Sequence, residues 1–275
     1  MSPPIERRRH LLVRAGAIGL LCVLFLLPLA FMVAGSLRLP GLPPARGFQW
    51  IPDSVQTDNY RAVFAFAPLW SNMLNSLIVV AGAVPLTVVI ASWAGYAIAA
   101  ADPKTQRRLI VLSLLALIVP VSALWVPRFA MFRWLGLTDS LWAVGSPALM
   151  ATTPFYVLLF ALAYARIPKN LYEAALLENM TPFQIWRRVA FPLGKPVTFA
   201  VALLAFIFHW SNFTDALLYL SSLENFTLPL GLRALQTLEP ALHPIMLAGS
   251  VIATAPAVVA FFVAQRSFFS KVLEV

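Results

Sequence analysis

The side chains able to do chemistry in this chain are few, and they fall into two groups. One is the polar segment 166–196, RIPKNLYEAALLENMTPFQIWRRVAFPLGKP, in which Glu173 sets one directed charge beside the short residues Ala174 and Ala175. The chemistry that suits it is docking, because a partner backbone approaches closely only where side chains are short. An ordinary solvated hairpin fits the same residues. The other group is a run of hydrogen-bonding residues in apolar surroundings, His209, Ser211, Asn212, Thr214 and Asp215. Polar groups at membrane depth are costly unless they face protein or water. Phe208, Asn212, Asp215 and Tyr219 follow three- and four-residue steps that place them on one helical face, where they would line a path for a hydroxyl-rich solute or bond one helix to another. Neither group offers a constellation for nucleophilic or acid–base catalysis. His209 has no second ligand at metal spacing, so no metal is expected. Gly194-Lys195 is followed by Pro196 and lacks the preceding glycine of a phosphate-binding loop, so nucleotide is not handled by this chain.

The elements that carry these residues are set by composition. Of 275 residues 60% are hydrophobic and only 11% charged, a balance that excludes an ordinary soluble domain and predicts an all-α integral membrane protein. Windows free of charge, long enough for about 20 apolar residues each, place six transmembrane helices near 12–35, 72–100, 109–131, 142–165, 197–220 and 245–268. Pro85, Pro120, Pro127 and Pro154 lie inside these spans and predict kinks. Arg7 to Arg9 precede an apolar run, and Val33-Ala34-Gly35 resembles a cleavage site, but the run is longer than a signal peptide's apolar core and reads as a retained helix. Cys22 lies within it and reads as a small core residue.

Basic residues fix the orientation, since they are retained on the cytoplasmic side. With the N-terminus inside, fourteen fall on the cytoplasmic face: Arg7, Arg8, Arg9, Arg14, Lys104, Arg107, Arg108, Arg166, Lys169, Arg187, Arg188, Lys195, Arg266 and Lys271. Six fall outside: Arg38, Arg46, Arg61, Arg128, Arg133 and Arg233. Both termini are therefore expected in the cytoplasm. The net charge of +9 follows from this asymmetry together with anionic membrane lipid and calls for no nucleic acid.

Between the first two spans, Pro40, Gly41, Pro43, Pro44, Gly47 and Pro52 mark an outer loop. Asp58-Asn59-Tyr60 then offers a helix N-cap ahead of a short surface helix through Phe66. The expected organisation is 1–71 for tail, first helix and outer loop, 72–268 for the transmembrane domain with its loop at 166–196, and 269–275 for a short tail. Within the loop, Pro168 suits a first helical turn, with Leu171, Ala174, Ala175 and Leu177 following at helical spacing. Asn179 suits a left-handed C-cap. Thr181-Pro182-Phe183-Gln184 is a capping box opening a second helix that runs to Phe191. Trp70, Trp142 and Tyr219 suit the interfacial aromatic belt, while Trp93, Tyr96 and Trp125 lie elsewhere and are candidates for sugar stacking.

Glu173-Ala174-Ala175, a turn residue at 179, then Ile185 and Phe191-Pro192-Leu193 resemble the E-A-A motif of type I ABC importer permeases. Asn179 stands where the family has glycine, and Phe191 where it has leucine. Asp58-Asn59-Tyr60, Leu74-Asn75-Ser76-Leu77, Ile167-Pro168-Lys169, Thr227-Leu228-Pro229-Leu230-Gly231-Leu232 and Gln265-Arg266 extend the resemblance to the carbohydrate-type permeases, similar to the second permease subunit of maltose importers. That resemblance implies a type I ABC importer permease fold in the cytoplasmic (inner) membrane of a prokaryote. The implied partners are a second homologous permease, two ATP-binding subunits that use ATP and Mg, an extracytoplasmic solute-binding protein, and membrane lipid. The chain itself would bind no cofactor. It also implies that Glu173, Ala174, Ala175, Leu177, Asn179, Met180, Thr181 and Pro182 form the ATPase-coupling surface. The solute would be a sugar or sugar-like compound. Within transport the alternatives are a polyol, glycerol phosphate, amino acid or polyamine, and outside it a membrane scaffold.

Overall fold

The computed structural model describes residues 4–41, 52, 54–149, 154–235 and 242–272, and among these every regular element is helical. Arg7, Arg8 and Arg9 lie on the first helix with undescribed side chains; the same holds for Gln265, Arg266 and Lys271 on the last. Pro43, Pro44, Arg46 and Gly47 fall outside the described residues.

The chain begins with α1 (Pro4–Ser36), a continuous helix longer than the span expected for it. Cys22, expected in a core, is exposed on it. Next come α2 (Asn59–Phe66) and α3 (Leu69–Ala100). Helix α4 (Pro103–Ile118) starts with a sequence-local device: Pro103 occupies the first helical position and the Asp102 carboxylate accepts from the N–H groups of Lys104 and Thr105 at 3.1 and 3.2 Å. It stops where Pro120 lacks an N–H and holds Val119 extended. After one 3₁₀ turn, α5 (Trp125–Trp134) sets off, and the segments before and after the proline are bent by 84°. The expected span 109–131 is thus two segments, and Pro120 is its corner.

Helices α6 (Leu141–Gly145) and α7 (Pro154–Tyr164) follow, with Pro154 at the start of α7 rather than inside it. Residues 150–153, which the fourth expected span includes, lie outside the described residues. The polar loop holds α8 (Lys169–Leu177), α9 (Pro182–Ile185), a π-helical stretch Trp186–Ala190 and α10 (Phe191–Leu193), so helical backbone continues through Pro192 where the sequence predicted an end. The last elements are α11 (Lys195–Trp210), α12 (Phe213–Tyr219), α13 (Leu228–Leu235) and α14 (His243–Val272). The expected fifth span, 197–220, is interrupted between Trp210 and Phe213.

Among the described residues, three segments, Leu12–Ser36, Leu69–Ala100 and His243–Val263, are each long and apolar enough to cross a membrane. Counting the bent pairs Pro103–Ile118 with Val121–Trp134 and Pro182–Leu193 with Lys195–Trp210 as one span each brings the number to five. Helix α7 is apolar but shorter.

Two compact units make up the chain. The first comprises residues 1–69 and 232–254. In it the end of α1 is held by Asn59, whose buried amide donates to the carbonyls of Ser36 and Arg38 at 2.8 and 2.7 Å. The Ser36 hydroxyl meets the Tyr60 phenol at 2.7 Å. Asp58 does precede α2, but its side chain makes no cap bond. Asn59 and Tyr60 bond instead to the end of α1, so the expected side-chain cap of α2 is not made.

The second unit comprises residues 70–231 and 255–275. One core joins Val88, Ala91 and Tyr96 of α3 to Phe160 and Tyr164 of α7, Ala175 of α8, Ile185, Trp186, Ala190 and Val201. Further back along α3, Val79 packs with Val144, Ala216, Leu220 and Leu230. Asn75 and Ser76 are bonded to the segment 224–228, far away in sequence. Asn75 donates to the carbonyls of Glu224 and Phe226 at 2.7 and 3.1 Å, and the Ser76 hydroxyl accepts from Leu228 N–H at 2.8 Å. Gly231 gives the Asn72 side chain its place, because a Cβ there would run into that amide and force it to move.

Candidate functional site

The loop from α8 to α9 is built from local signals. Pro168 sits one residue ahead of α8, with extended ψ, so it caps the helix rather than entering its first turn. At the other end Asn179 adopts φ 53°. Its N–H donates to Leu176 O at 2.9 Å and Met180 N–H donates to Ala175 O at 3.1 Å, which is the paired closure that a left-handed residue permits at a helix end. Thr181 then begins α9 with a complete capping box: its N–H donates to Gln184 Oε1 at 2.8 Å and its hydroxyl accepts from Gln184 N–H at 3.4 Å, with Pro182 at the first helical position.

Glu173, Ala174, Asn179, Thr181 and Pro182 are exposed and Met180 is half-buried, whereas Ala175 belongs to the core beneath the loop. The small pair is therefore split: Ala174 faces outward and Ala175 packs inward. Leu177 is 85% exposed and Leu176 61% exposed, an uncovered apolar surface beside the Glu173 carboxylate. Replacing Asn179 with valine forces a β-branched residue into the left-handed region at a cost of about 1–2 kcal/mol. Thermal denaturation of the purified protein should show Asn179→Val less stable and Asn179→Gly at or above the native value.

The aromatic residues on α3 lie under this loop. Trp93 meets Tyr96 at 5.8 Å, Phe183 at 5.7 Å and Trp186 edge-on at 5.1 Å, so their rings are engaged with the loop rather than open to a sugar. Tyr172 donates to the Tyr164 carbonyl at 3.3 Å. Burial, with smaller contributions from Tyr96 and Tyr164, raises the Tyr172 phenol to about 12, so it remains a neutral donor at physiological pH.

The polar group near the end of α11 is organised by the helix break. Asn212 caps α12, its Oδ1 accepting from Asp215 N–H at 3.2 Å, while its amide donates to Asp215 Oδ2 at 2.9 Å. Asp215 is buried and faces Arg128 of α5, equally buried, at 3.6 Å. Tyr219 packs its ring on Phe132 at 5.0 Å and Phe129 at 6.5 Å. Asn212, Asp215 and Tyr219 thus come together on α12, and Phe208 does not share their face, because it precedes the break and is exposed. Arg128 was legible only as an outer basic residue. Its signal is that it shares an apolar region with Asp215 and has to be neutralised there.

Asp139, at φ 58°, ties the α5–α6 connection to the segment after α12. Its carboxylate accepts from Ser221 N–H at 2.9 Å, Ser222 N–H at 3.0 Å and the Ser222 hydroxyl, and its carbonyl accepts from Asn225 at 2.8 Å. The Ser222 hydroxyl first, then the two N–H groups, hold this carboxyl well below the usual carboxylate range. A native pKa below the unfolded one gives stability that is complete above the unfolded value, near pH 4, and lost as pH falls through the native value. Asp139→Asn keeps the backbone conformation and is expected to cost about 1 kcal/mol at pH 7, after discounting for partial exposure. The difference in melting temperature between variant and native protein should shrink below about pH 4.

Comparisons with known proteins identify the family and the fold. Residues 62–273 match the family described as the binding-protein-dependent transport system inner membrane component. The arabinooligosaccharides transport system permease protein AraQ of Halalkalibacterium halodurans is 34% identical over 220 residues, covering 80% of this chain and 78% of its own. The protein of the same name from Bacillus subtilis is 30% identical over 254 residues, covering 91% and 90%. A solved bacterial ABC transporter involved in the import of the acidic polysaccharide alginate has a chain with the same fold, with a TM-score of 0.78 at 20% identity over 98% of this chain and 99% of that one. A polar helical loop with an E-A-A sequence, set in an all-helical apolar chain that matches this family over most of its length, places the protein: it belongs to the inner-membrane permease components of binding-protein-dependent ABC transport systems.

Proposed function

We propose that this chain is one permease subunit of an importer that moves a sugar or sugar-like solute across the cytoplasmic membrane of a prokaryote. The observation that carries the solute class is the identity of 34% with a permease of an arabinooligosaccharides system over four-fifths of the chain. The reading has six spans with both termini in the cytoplasm. Residues 1–71 form the tail, first helix and outer loop, 72–268 the transmembrane domain, and 269–275 a short tail. A second permease, two ATP-binding subunits that use ATP and Mg, and an external solute-binding protein complete the assembly.

In this reading Glu173, Ala174 and Leu177 meet an ATP-binding subunit, while Ala175, Asn179, Met180, Thr181 and Pro182 hold the loop in shape. Closure of the ATP-binding pair pushes the loop and alternates the permeases between inward-facing and outward-facing packings. Asn212 is half-buried, whereas Asp215, Tyr219 and Arg128 are buried in this packing; in this reading the alternation uncovers them to bond solute hydroxyls, with Phe208 as an apolar surface before them.

The test is uptake in proteoliposomes containing this chain with the permease, ATP-binding and receptor proteins encoded beside it. ATP-dependent uptake of a labelled oligosaccharide, suppressed by unlabelled sugars, is the expected result. Suppression only by polyols, glycerol phosphate, amino acids or polyamines overturns the solute class. Purification without any ATP-hydrolysing protein overturns the import role and favours a scaffold.

A further inference from the structure

One buried hydroxyl links the polar loop to both of the helices beneath it. Ser92 of α3 is fully buried. Its Oγ accepts from Trp186 Nε1 at 2.9 Å and lies 2.6 Å from the Tyr164 phenol. A serine hydroxyl has one hydrogen and two lone pairs, so with the indole on one lone pair the bond to Tyr164 uses either the hydrogen or the second lone pair, and one oxygen serves both partners. Three segments meet there: α3, the end of α7, and the loop. One further directional bond lies nearby, from the Tyr172 phenol to the Tyr164 carbonyl at 3.3 Å, and it is longer and less buried than the pair at Ser92.

The surroundings hold this junction tightly. Gly95 lets α3 touch α7, because a Cβ there would lie 2.8 Å from Val157 O and 2.9 Å from Ala161 N. Gly194 lets the loop exit pass over the Tyr164 ring, where a Cβ would lie 2.6 Å from Cε1. Trp186 opens the π-helical stretch Trp186–Ala190, a wider turn that is rare and concentrated at functional positions. Apolar packing alone allows one element to slide on another. Hydrogen bonds to a single buried atom do not, because breaking them strands donors away from water.

We propose that Ser92, Tyr164 and Trp186 form a positioning node that converts displacement of the loop into movement of α3 and α7. This rests on the reading of the loop as the surface that receives force from an ATP-binding subunit. The three residues touch neither that subunit nor the solute. They make the loop and the two helices move as one body. Removing the Ser92 hydroxyl leaves the indole N–H and the phenol without their common partner, and the loop then shifts over α3 without carrying it.

The experiment compares Ser92→Ala, Trp186→Phe and the double variant in the complete importer reconstituted in proteoliposomes. Complex assembly, receptor-stimulated ATP hydrolysis and solute uptake are measured on the same preparation. Assembly and ATP hydrolysis should stay within about twofold of the native complex while uptake per ATP falls about tenfold in each single variant. The double variant should be no worse than either single one, since both remove the same junction. Unchanged uptake per ATP, single effects that multiply in the double variant, or failure of the variants to assemble each overturns the proposal. Glu173→Lys in the same assay separates the two readings. If it leaves ATPase association and uptake intact, the coupling role of the loop falls and the node with it; if it acts as expected and Ser92→Ala is silent, the node alone falls.

Discussion

Glu173→Lys is expected to reduce ATP-driven uptake by about a hundredfold, which corresponds to roughly 3 kcal/mol, the scale of a like-charge juxtaposition in an interface. The carboxylate is exposed on α8 next to the uncovered Leu176 and Leu177. Within the chain it is a surface group, so its replacement should change stability by less than about 0.5 kcal/mol. The permease should therefore melt at its native temperature and fail to retain the ATP-binding subunits during purification. Ala175 supplies the contrast. It is buried in the core that also holds Tyr96, Tyr164 and Trp186, so Ala175→Leu overpacks that core at a cost of about 1–3 kcal/mol and lowers the melting temperature of the permease itself. Two neighbours in one motif are thus expected to fail by different routes. Equal retention of the ATP-binding subunits by the native protein and by Glu173→Lys would remove the docking role.

What was legible in the sequence was local. Asn179, Thr181 and Gln184 act through bonds to residues two to four positions away, and such geometry is written in residue types alone. Pro120 likewise marks the corner after α4, because its missing N–H acts at its own position. Helix continuity through 208–219 misled, since periodicity takes no account of a cap. Yet Asn212-Phe213-Thr214-Asp215 carries an N-cap with an acidic residue three positions on, a signal that the apolar flanks masked. Long-range bonds were not legible. Ser92 and Trp186 are 94 residues apart, and Ser76 and Leu228 are 152 apart. Ala174 and Ala175 are identical as residue types, and only packing decides which one faces a partner.

The pair Arg128–Asp215 gives the second large effect. Both side chains are buried and an ion pair links them, with Asn212 donating to the same Asp215 oxygen. Removing either partner leaves an uncompensated charge, at a cost of about 3–5 kcal/mol. That is comparable to the whole stability of a marginal domain, so Asp215→Ala and Arg128→Ala should each fall sharply in yield and melting temperature. Replacing both by apolar residues of similar volume, Arg128→Met with Asp215→Leu, removes the two desolvation costs together and should return stability to the native value or above. Transport then separates two roles that stability alone does not. Charges that only bond α5 to α12 are dispensable once apolar packing replaces them, and the double variant would transport normally. Charges that also meet the solute are not, because apolar side chains form no bonds to its hydroxyls. The expected outcome is a double variant with native melting temperature and uptake reduced about tenfold, equivalent to about 1.4 kcal/mol of lost interaction with the moving solute. Native uptake in that variant would restrict the pair to holding the helices together.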